Sequence, residues 1–325
     1  MAVLIARAFQ RLIRQTRRAA GLLALMAAVS LGLAAAAAGY ETDQYTHRLQ
    51  PIADAQPELE RIVNRTLDRV AAEWRGGADR YRFTLAVFNE LGGLYWVDRI
   101  ERLALLSPSI ERLPQFRHDS IYNGLPFTAR RVNFVFGVGR TLRLAGSLVG
   151  SDKLGHFFSQ GKKYYFSRLA GWRETHILGR GVFNERWLFG QLTTSIYSNA
   201  DLVANYEGYL FYRSLFEDGI VPGKAAIVRF EADRAAIQRP FSWSDHVNDY
   251  WDEALNPSHM SPEMAKSIQK AILQVCPDYA RVPEAFRVRN EAALAARYAG
   301  IGLKPAPENS VPFVCGSESA AGGAR

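Results

Sequence analysis

The first 38 residues have the order of a secretory signal peptide, and this feature constrains the chain more than any other. Residues 1–20 carry five arginines and no acid, residues 21–38 are uncharged and rich in Leu and Ala, and the segment closes on the small-residue run Ala34–Ala38. This order of basic, apolar and small residues is typical of a segment that directs export and is then cleaved. We therefore expect cleavage near Ala38 and a mature chain that folds in a Gram-negative-type periplasm.

An uncleaved membrane anchor is the alternative interpretation of the same segment. Residues 21–38 are at the short limit for a helix that spans a bilayer. Residues 16–18 loosely resemble a twin-arginine export signal, although Ala19 and Ala20 replace its usual apolar pair. The sequence leaves open whether the leader is cleaved, and membrane association is expected only if it is retained as an inner-membrane anchor.

Removal of the leader changes the net charge of the chain. The whole chain has 40 Lys and Arg residues against 32 Asp and Glu residues, a formal charge of +8, and five of the arginines belong to the leader. The mature chain therefore has 35 basic residues against 32 acidic ones, a net charge of +3. Such a small excess is not the charge pattern of a nucleic-acid-binding protein, so we expect no nucleic-acid partner.

Cys276 and Cys315 are the two cysteines of the chain, and both lie in the part that would be exported. In an oxidising compartment, two cysteines are expected to form a disulfide bond. The bond would tie the C-terminal tail to the last strongly periodic helix. Two cysteines are also too few for a cysteine-rich zinc site.

The spacing of apolar residues predicts a mostly α-helical domain with a few short β segments. Helical spacing covers six segments, 58–74, 81–106, 151–169, 184–216, 242–255 and 262–275. Segment 131–149 fits either a helix or a pair of short strands, and we favour a helix. Residues 39–315 are expected to form a single helical domain, and the small and polar residues 316–325 a disordered tail.

A first group of polar residues follows one face of the helix expected to begin near residue 151. Asp152 and His156 are four residues apart, and Lys163 continues the same face. A carboxylate one turn before an imidazole can fix the tautomer of the ring and increase its basicity, as a general base requires. The alternative is structural, namely an acid that favours the start of a helix and a half-buried histidine.

A second group follows one stripe of a later helix. Asp201, Asn205 and Gly208 are spaced by four and three residues, and Ser198 extends the stripe backward by three. Ala204 and Gly208 are small residues four apart, which lets another backbone come close. This pattern suits a crowded polar contact between two helices. The alternative is a buried Asp–Asn pair that only fixes the register of the helices.

Together these segments resemble VanZ-like proteins and the related YfiM-like periplasmic group. The resemblance covers about residues 150–212 and rests on Asp152-Lys153-x-x-His156, on Asp201-x-x-Ala204-Asn205-x-x-Gly208, and on Glu185 and Gln191 between them. It implies a helical hairpin whose polar residues converge, and a role in envelope physiology with no settled reaction. VanZ-like proteins cross the membrane several times, whereas no mature stretch here approaches 18 apolar residues, so a membrane-embedded function does not carry over.

The site predicted from these segments has His156, Asp152 and Asp201 as its catalytic residues. Its substrate-binding residues would be Asn205, Ser198, Lys163 and Glu185. In this prediction His156 is the base and an aspartate orients it. The three catalytic residues could instead bind Zn or Mn, but a single histidine is few for such a site. We therefore predict no metal ligands, and the sequence does not identify a cofactor.

Two functions from different classes fit this site. The first is an envelope hydrolase or transferase acting on a lipid, glycan or peptide. The second is a non-enzymatic periplasmic binding or scaffolding protein in which the same residues form a structural network. Segment 243–253, which is dense in acids and aromatic residues, could complete the site or form a solvated acidic face. The sequence does not decide whether the chain is an enzyme.

Overall fold

The computed structural model describes residues 41–93, 97–115, 118–125, 138–187 and 195–322 of the 325. The expected leader, residues 1–38, lies outside these ranges, and so does Gln191. Within them the chain is mostly helical, as predicted, with three two-stranded antiparallel sheets. None of the helices in these ranges is both long enough and apolar enough to cross a bilayer.

The helices and strands follow one another with short connections. The helices are α1 (Gln56–Glu73), α2 (Arg80–Leu91), α3 (Arg99–Leu106), α4 (Asp152–Gly155), α5 (Gly161–Leu169), α6 (Glu174–Trp187), α7 (Asn199–Ser214), α8 (Pro262–Ile272), α9 (Cys276–Arg281), α10 (Glu291–Arg297) and α11 (Val311–Gly322). A single π-helical turn, His156–Gln160, joins α4 to α5. The paired strands are β1 (Thr141–Leu144) with β2 (Ser147–Gly150), β3 (Ile196–Tyr197) with β6 (His259–Met260), and β4 (Val228–Glu231) with β5 (Arg234–Ile237).

Helix α7 lies at the centre of the hydrophobic core. Its side chains are buried on every side, including Val203, Ala204 and Phe211, none of which is exposed to solvent. Aromatic rings from the π turn and from the segment after β5 pack against it, so that Phe157 contacts both Phe211 and Trp243. A helix that is surrounded in this way is stabilised by packing rather than by its intrinsic propensity.

Glycines allow α7 to approach the π turn and α5 at backbone distance. A Cβ atom on Gly208 would lie 1.9 Å from the carbonyl oxygen of Phe157, and one on Gly161 would lie 2.4 Å from the carbonyl carbon of Gly208. These contacts confirm the predicted close approach of another backbone at Gly208. The crossing therefore fixes the position of α7 relative to the turn that carries His156.

The prediction of a helix over residues 131–149 is wrong in the described part of this segment. Residues 141–150 form the hairpin of β1 and β2, in which Thr141 lies opposite Gly150. The turn contains Ala145 and Gly146 with φ angles of +49° and +80°. Two successive residues with positive φ are typical of the tight turns whose twist matches that of two antiparallel strands, so the chain reverses here instead of continuing as a helix.

The prediction of a helix over residues 242–255 is also wrong. Only two short 3-10 turns form there, Trp243–Asp245 and Asp249–Trp251. Between them Asn248 is fully extended, and its side chain accepts a hydrogen bond from the amide of Tyr250. Side-chain bonds of this kind compete with the backbone bonds of a helix.

At the C-terminus, α11 extends to Gly322 into the segment 316–325 expected to be disordered, and the alanines there favour a helix.

The disulfide bond between Cys276 and Cys315 is confirmed, and it joins α9 to α11 across 39 residues of sequence. Closing a loop of this size restricts the unfolded chain, which stabilises the fold by about 4 kcal/mol. We expect the double variant Cys276→Ser/Cys315→Ser to lose about that much free energy of unfolding, measured by urea denaturation. The single variant Cys276→Ser should lose a similar amount, since one cysteine cannot form the bond. A loss below about 1 kcal/mol would contradict a structural role for the bond.

Candidate functional site

Lys153 is fully buried and forms the centre of a cluster of charged residues. Its Nζ lies 2.5 Å from Oδ2 of Asp152, 2.7 Å from Oδ1 of Asp201 and 2.7 Å from Oε1 of Glu253. The three carboxylates belong to α4, to α7 and to the loop after the second 3-10 turn, so one ammonium group joins three separate parts of the chain. Burial alone would lower the pKa of Lys153, but these acids hold the pKa well above its usual value.

His156 follows Asp152 by one turn and uses both of its ring nitrogens. Nδ1 lies 3.0 Å from Oδ1 of Asn205, and Nε2 lies 3.2 Å from Oδ2 of Asp201. The carboxylate of Asp201 can only accept a hydrogen bond, so Nε2 of His156 carries a proton and donates it to Oδ2. The side chain of His156 is 22% exposed, compared with 13% for Asp201 and 0% for Lys153. The imidazole is therefore the member of this group that solvent reaches best.

Asp201 links the buried lysine to the partly exposed histidine. Burial alone would raise the pKa of Asp201, but the charges of His156 and Lys153 hold it below its usual value. The start of α7 orients this residue, because the hydroxyl of Ser198 accepts a hydrogen bond from the amide of Asp201 at 3.1 Å. The same cap places Asn205 one turn further along the same face, opposite His156.

Carboxyl groups outnumber cations around the cluster. Burial raises the pKa values of Glu41, Glu101 and Glu185 well above their usual range, and the charges of neighbouring acids raise them further. For the same main reason the pKa of Glu253 is raised to about 7, and that of Asp152 is also raised. Such a concentration of buried acids costs stability, and shifted pKa values in one place are typical of functional sites.

The structure brings together most of the residues predicted for the site. Asp152, His156, Asp201 and Asn205 meet as expected between α4, the π turn and α7. Glu185, on α6, is buried beside them, and among the described residues its Oε2 has no hydrogen-bond partner.

Ser198 caps α7 and is itself buried, with its hydroxyl 3.4 Å from Oε1 of Glu253. Its observed contacts are therefore structural ones, although it was predicted to bind substrate. Because its hydroxyl joins the first turn of α7 to the loop that carries Glu253, Ser198 holds these two parts of the cluster together.

Lys163 does not lie in the cluster, and its role in substrate binding stays a prediction. Its side chain is exposed on the surface of α5. The prediction assumed an uninterrupted α-helix, whereas the π turn contains one more residue per turn and rotates everything after it. Tyr164 takes the position expected for Lys163, because its side chain is buried and close enough to Asn205 for that amide to lower its pKa, which burial raises. Isolated π turns inside α-helices are frequent at functional sites.

Lys153 and Glu253 are site residues that the sequence analysis missed. Lys153 stands inside the Asp-Lys-x-x-His motif itself, but a lysine in a helical pattern normally faces solvent. Glu253 ends the acid-rich and aromatic-rich segment 243–253, which the sequence offered only as a weaker candidate. Its Oε2 also accepts a hydrogen bond from the hydroxyl of Tyr122 at 3.5 Å. Glu41 and Glu101 carry no motif that would have identified them.

The residues around His156 could act as an acid–base pair or bind a cation. Asp152, His156 and Asp201 each offer a ligand atom, and these atoms lie within 4.8 Å of one another. One imidazole and two carboxylates could hold a divalent cation. However, the ammonium of Lys153 already binds both aspartates and would repel a second cation on the same carboxylates. The geometry therefore favours proton chemistry at His156.

No family model, no curated protein and no solved structure matches this chain in the comparisons with known proteins. The resemblance to VanZ-like proteins thus stays a prediction that rests on the two motifs. A function can be argued only from the residues of the site.

Proposed function

We propose that the chain is an exported cell-envelope enzyme, a hydrolase or transferase that acts on a lipid, glycan or peptide of the envelope. The observation that carries this proposal is a partly exposed imidazole paired with a buried carboxylate, Asp201, that a buried lysine holds in place. A histidine in such a setting has the orientation and the charge stabilisation that acid–base catalysis needs. The class of substrate follows from the export expected from the leader.

In the proposed reaction, His156 is the group that transfers protons. The neutral ring accepts a proton at Nδ1 from water, or from the hydroxyl of an acceptor in a transfer reaction, as the oxygen of that nucleophile forms a bond to the electrophilic atom of the substrate. The imidazolium then donates the same proton to the oxygen of the leaving group as the bond to that oxygen breaks, and the ring is neutral again. Asp201 stabilises the imidazolium through Nε2, and Asn205 positions the ring at Nδ1 before the substrate binds.

A non-enzymatic protein is the second candidate, and one observation favours it. Lys153 and His156 are fully paired with Asp152, Asp201, Glu253 and Asn205, as in a structural network. Against this, a buried ionic network often stabilises a fold less than apolar packing of the same volume would. A network that places many buried acids around one partly exposed imidazole is therefore better explained by a catalytic role than by a stabilising one.

His156→Asn is expected to remove the function while leaving the fold intact. Loss of two hydrogen bonds at a partly exposed position should lower the free energy of unfolding by about 1–2 kcal/mol. Loss of the proton-transferring group should lower the rate by about 100-fold or more. The measurement is an untargeted comparison of envelope lipids and glycans in cells that lack the gene and are complemented with each variant. His118→Ala, which removes an imidazole that is 76% exposed, is the matched control and should complement fully.

Two outcomes would replace this proposal. If His156→Asn complements as well as the unaltered chain, the non-enzymatic interpretation holds. If the purified protein contains stoichiometric Zn or Mn, and chelation lowers both its thermal midpoint and its activity, Asp152, His156 and Asp201 are metal ligands. We expect chelation to change neither quantity, because the ammonium of Lys153 is already paired with two of the three groups.

A further inference from the structure

Large apolar side chains are exposed on α6 and on the connector that precedes it. Trp172 is 45% exposed, Phe183 is 53% exposed, and Leu169, at the end of α5, is 40% exposed. Single exposed apolar residues are ordinary on protein surfaces. Here three of them, two aromatic, lie on two helices that pack against each other and on the short connector between those helices. Such a grouping is the kind of surface that binds a partner.

Basic side chains accompany these apolar residues. Arg173, Arg180 and Arg186 are all exposed, and the guanidinium of Arg180 lies 5.6 Å from the ring of Trp172. Between residues 154 and 200 the chain has six Lys and Arg residues and only two acids. The outward charge of this region is therefore mainly positive, because Glu185 is buried and Glu174, which is 37% exposed, lies near Arg213.

The two acids of this region do not offset the arginines at the surface. Glu185 is buried towards the charged cluster. Glu174 accepts a hydrogen bond from the hydroxyl of Tyr209 at 3.0 Å and lies 3.7 Å from Nη1 of Arg213.

The two faces of α6 carry different side chains. Arg180, Phe183 and Arg186 are spaced by three residues and stand on its outer face. Ile177 and Glu185 are buried on its inner face. The outer face thus combines aromatic and basic residues, whereas the inner face contributes to the candidate site.

We propose that the surface formed by Leu169, Trp172, Arg173, Arg180, Phe183 and Arg186, here called the α6 face, docks onto an anionic lipid surface. Aromatic side chains with exposed apolar bodies favour the interface between headgroups and acyl chains. Arginines at the same level are attracted by anionic headgroups. Both features together are typical of helices that lie in the plane of a membrane surface.

A second copy of the chain is a poorer occupant of this surface. Two α6 faces in contact would bring Arg173, Arg180 and Arg186 of each copy towards the same charges on the other, and the described acids of this region are not available to compensate them. Charge complementarity therefore favours a negative partner, and a lipid surface also accommodates scattered aromatic side chains without a shaped groove.

This inference goes beyond the proposed function and does not depend on catalysis at His156. It also differs from the expectation that membrane association requires a retained leader, because the α6 face belongs to the mature chain. Glu185 lies on the inner side of the same helix, so a docked lipid would be about one helix diameter, roughly 10 Å, from the charged cluster. Docking would thus hold the site close to a lipid surface whether or not the lipid is the substrate.

Vesicle flotation of the chain from Gly39 onward, which forms one compact unit, tests the proposal. We expect binding to phosphatidylcholine vesicles that contain about 30% phosphatidylglycerol, and at least about tenfold weaker binding to pure phosphatidylcholine. Raising NaCl from about 0.05 M to about 0.5 M should release the protein. Trp172→Ser/Phe183→Ser and, separately, Arg180→Glu should each weaken binding by about tenfold or more.

Phe313→Ser is the matched control, because Phe313 is 55% exposed on α11 and its replacement should leave binding unchanged. Thermal unfolding of each variant checks that the fold is kept. The proposal is overturned if the unaltered chain does not bind anionic vesicles, or if binding persists in Trp172→Ser/Phe183→Ser. Sedimentation velocity that shows a dimer, dissociated by the same double variant, would assign the α6 face to a second copy and would also overturn it.

Discussion

Lys153→Met is expected to lower the free energy of unfolding by about 3–5 kcal/mol at pH 8. Methionine nearly matches the length of the lysine but carries no charge, so Asp152, Asp201 and Glu253 lose the ammonium that lies 2.5–2.7 Å from each of them. These carboxylates are at most 13% exposed, and water cannot take the place of the lost partner. Urea denaturation of the purified protein measures the effect.

The loss should depend on pH in a defined direction. The pKa of Glu253 is raised to about 7, chiefly by burial, even with Lys153 present. A carboxyl group whose pKa is raised on folding costs no stability below its unfolded pKa of about 4, and costs progressively more as the pH rises through its folded pKa. The deficit of Lys153→Met should therefore be small near pH 4–5 and complete at pH 8.

Lys163→Met provides the matched control for this experiment. Lys163 is exposed on α5, so its replacement should change the free energy of unfolding by less than about 0.5 kcal/mol at either pH. A second variant, Lys153→Met/Glu253→Gln, should be more stable than Lys153→Met at pH 8, because one of the three unpaired charges is removed. An equal deficit at pH 5 and pH 8 would show that Lys153 acts through packing and not through its charge.

The sequence predicted those helices in which the buried apolar residues recur with helical spacing. Helices α1 and α8 have such spacing and begin and end within a few residues of the prediction. The errors lie where individual hydrogen bonds or turns decide the outcome. The extended backbone at Asn248 ends any helix in 242–255, and the turn at Ala145-Gly146 lacks the Asn-Gly pair by which such hairpins are usually recognised.

The candidate site was predictable to the extent that it follows helical spacing. Asp152 with His156, and Asp201 with Asn205, are each one turn apart, so each pair had to share a face whatever the tertiary structure. Glu253 could not be found in this way, because tertiary packing alone brings its loop to Lys153. Lys163 does not share the face of Asp152 and His156 for a local reason, since no simple sequence pattern predicts the π turn that rotates Lys163 outward and Tyr164 inward.

Gly208→Ala is expected to lower the free energy of unfolding by about 3 kcal/mol, at the upper end of the range for overpacked cores. The new Cβ atom would lie 1.9 Å from the carbonyl oxygen of Phe157 and 2.6 Å from its carbonyl carbon. These are backbone atoms of the π turn, so no side-chain rotation can relieve the clash, and either α7 or the turn must move. Urea denaturation and the thermal midpoint measure the loss.

The same displacement should reach the candidate site, which separates this variant from an ordinary core defect. His156 belongs to the turn and Asn205 to α7, one turn before Gly208, so a shift at the crossing lengthens the 3.0 Å contact between Nδ1 and Oδ1. Gly179→Ala is the control, because a Cβ there meets no atom within 4 Å and alanine favours a helix by about 1 kcal/mol. If Gly208→Ala is as stable as Gly179→Ala, the two backbones do not cross at the distance described, and the pairing of His156 with Asn205 loses its structural basis.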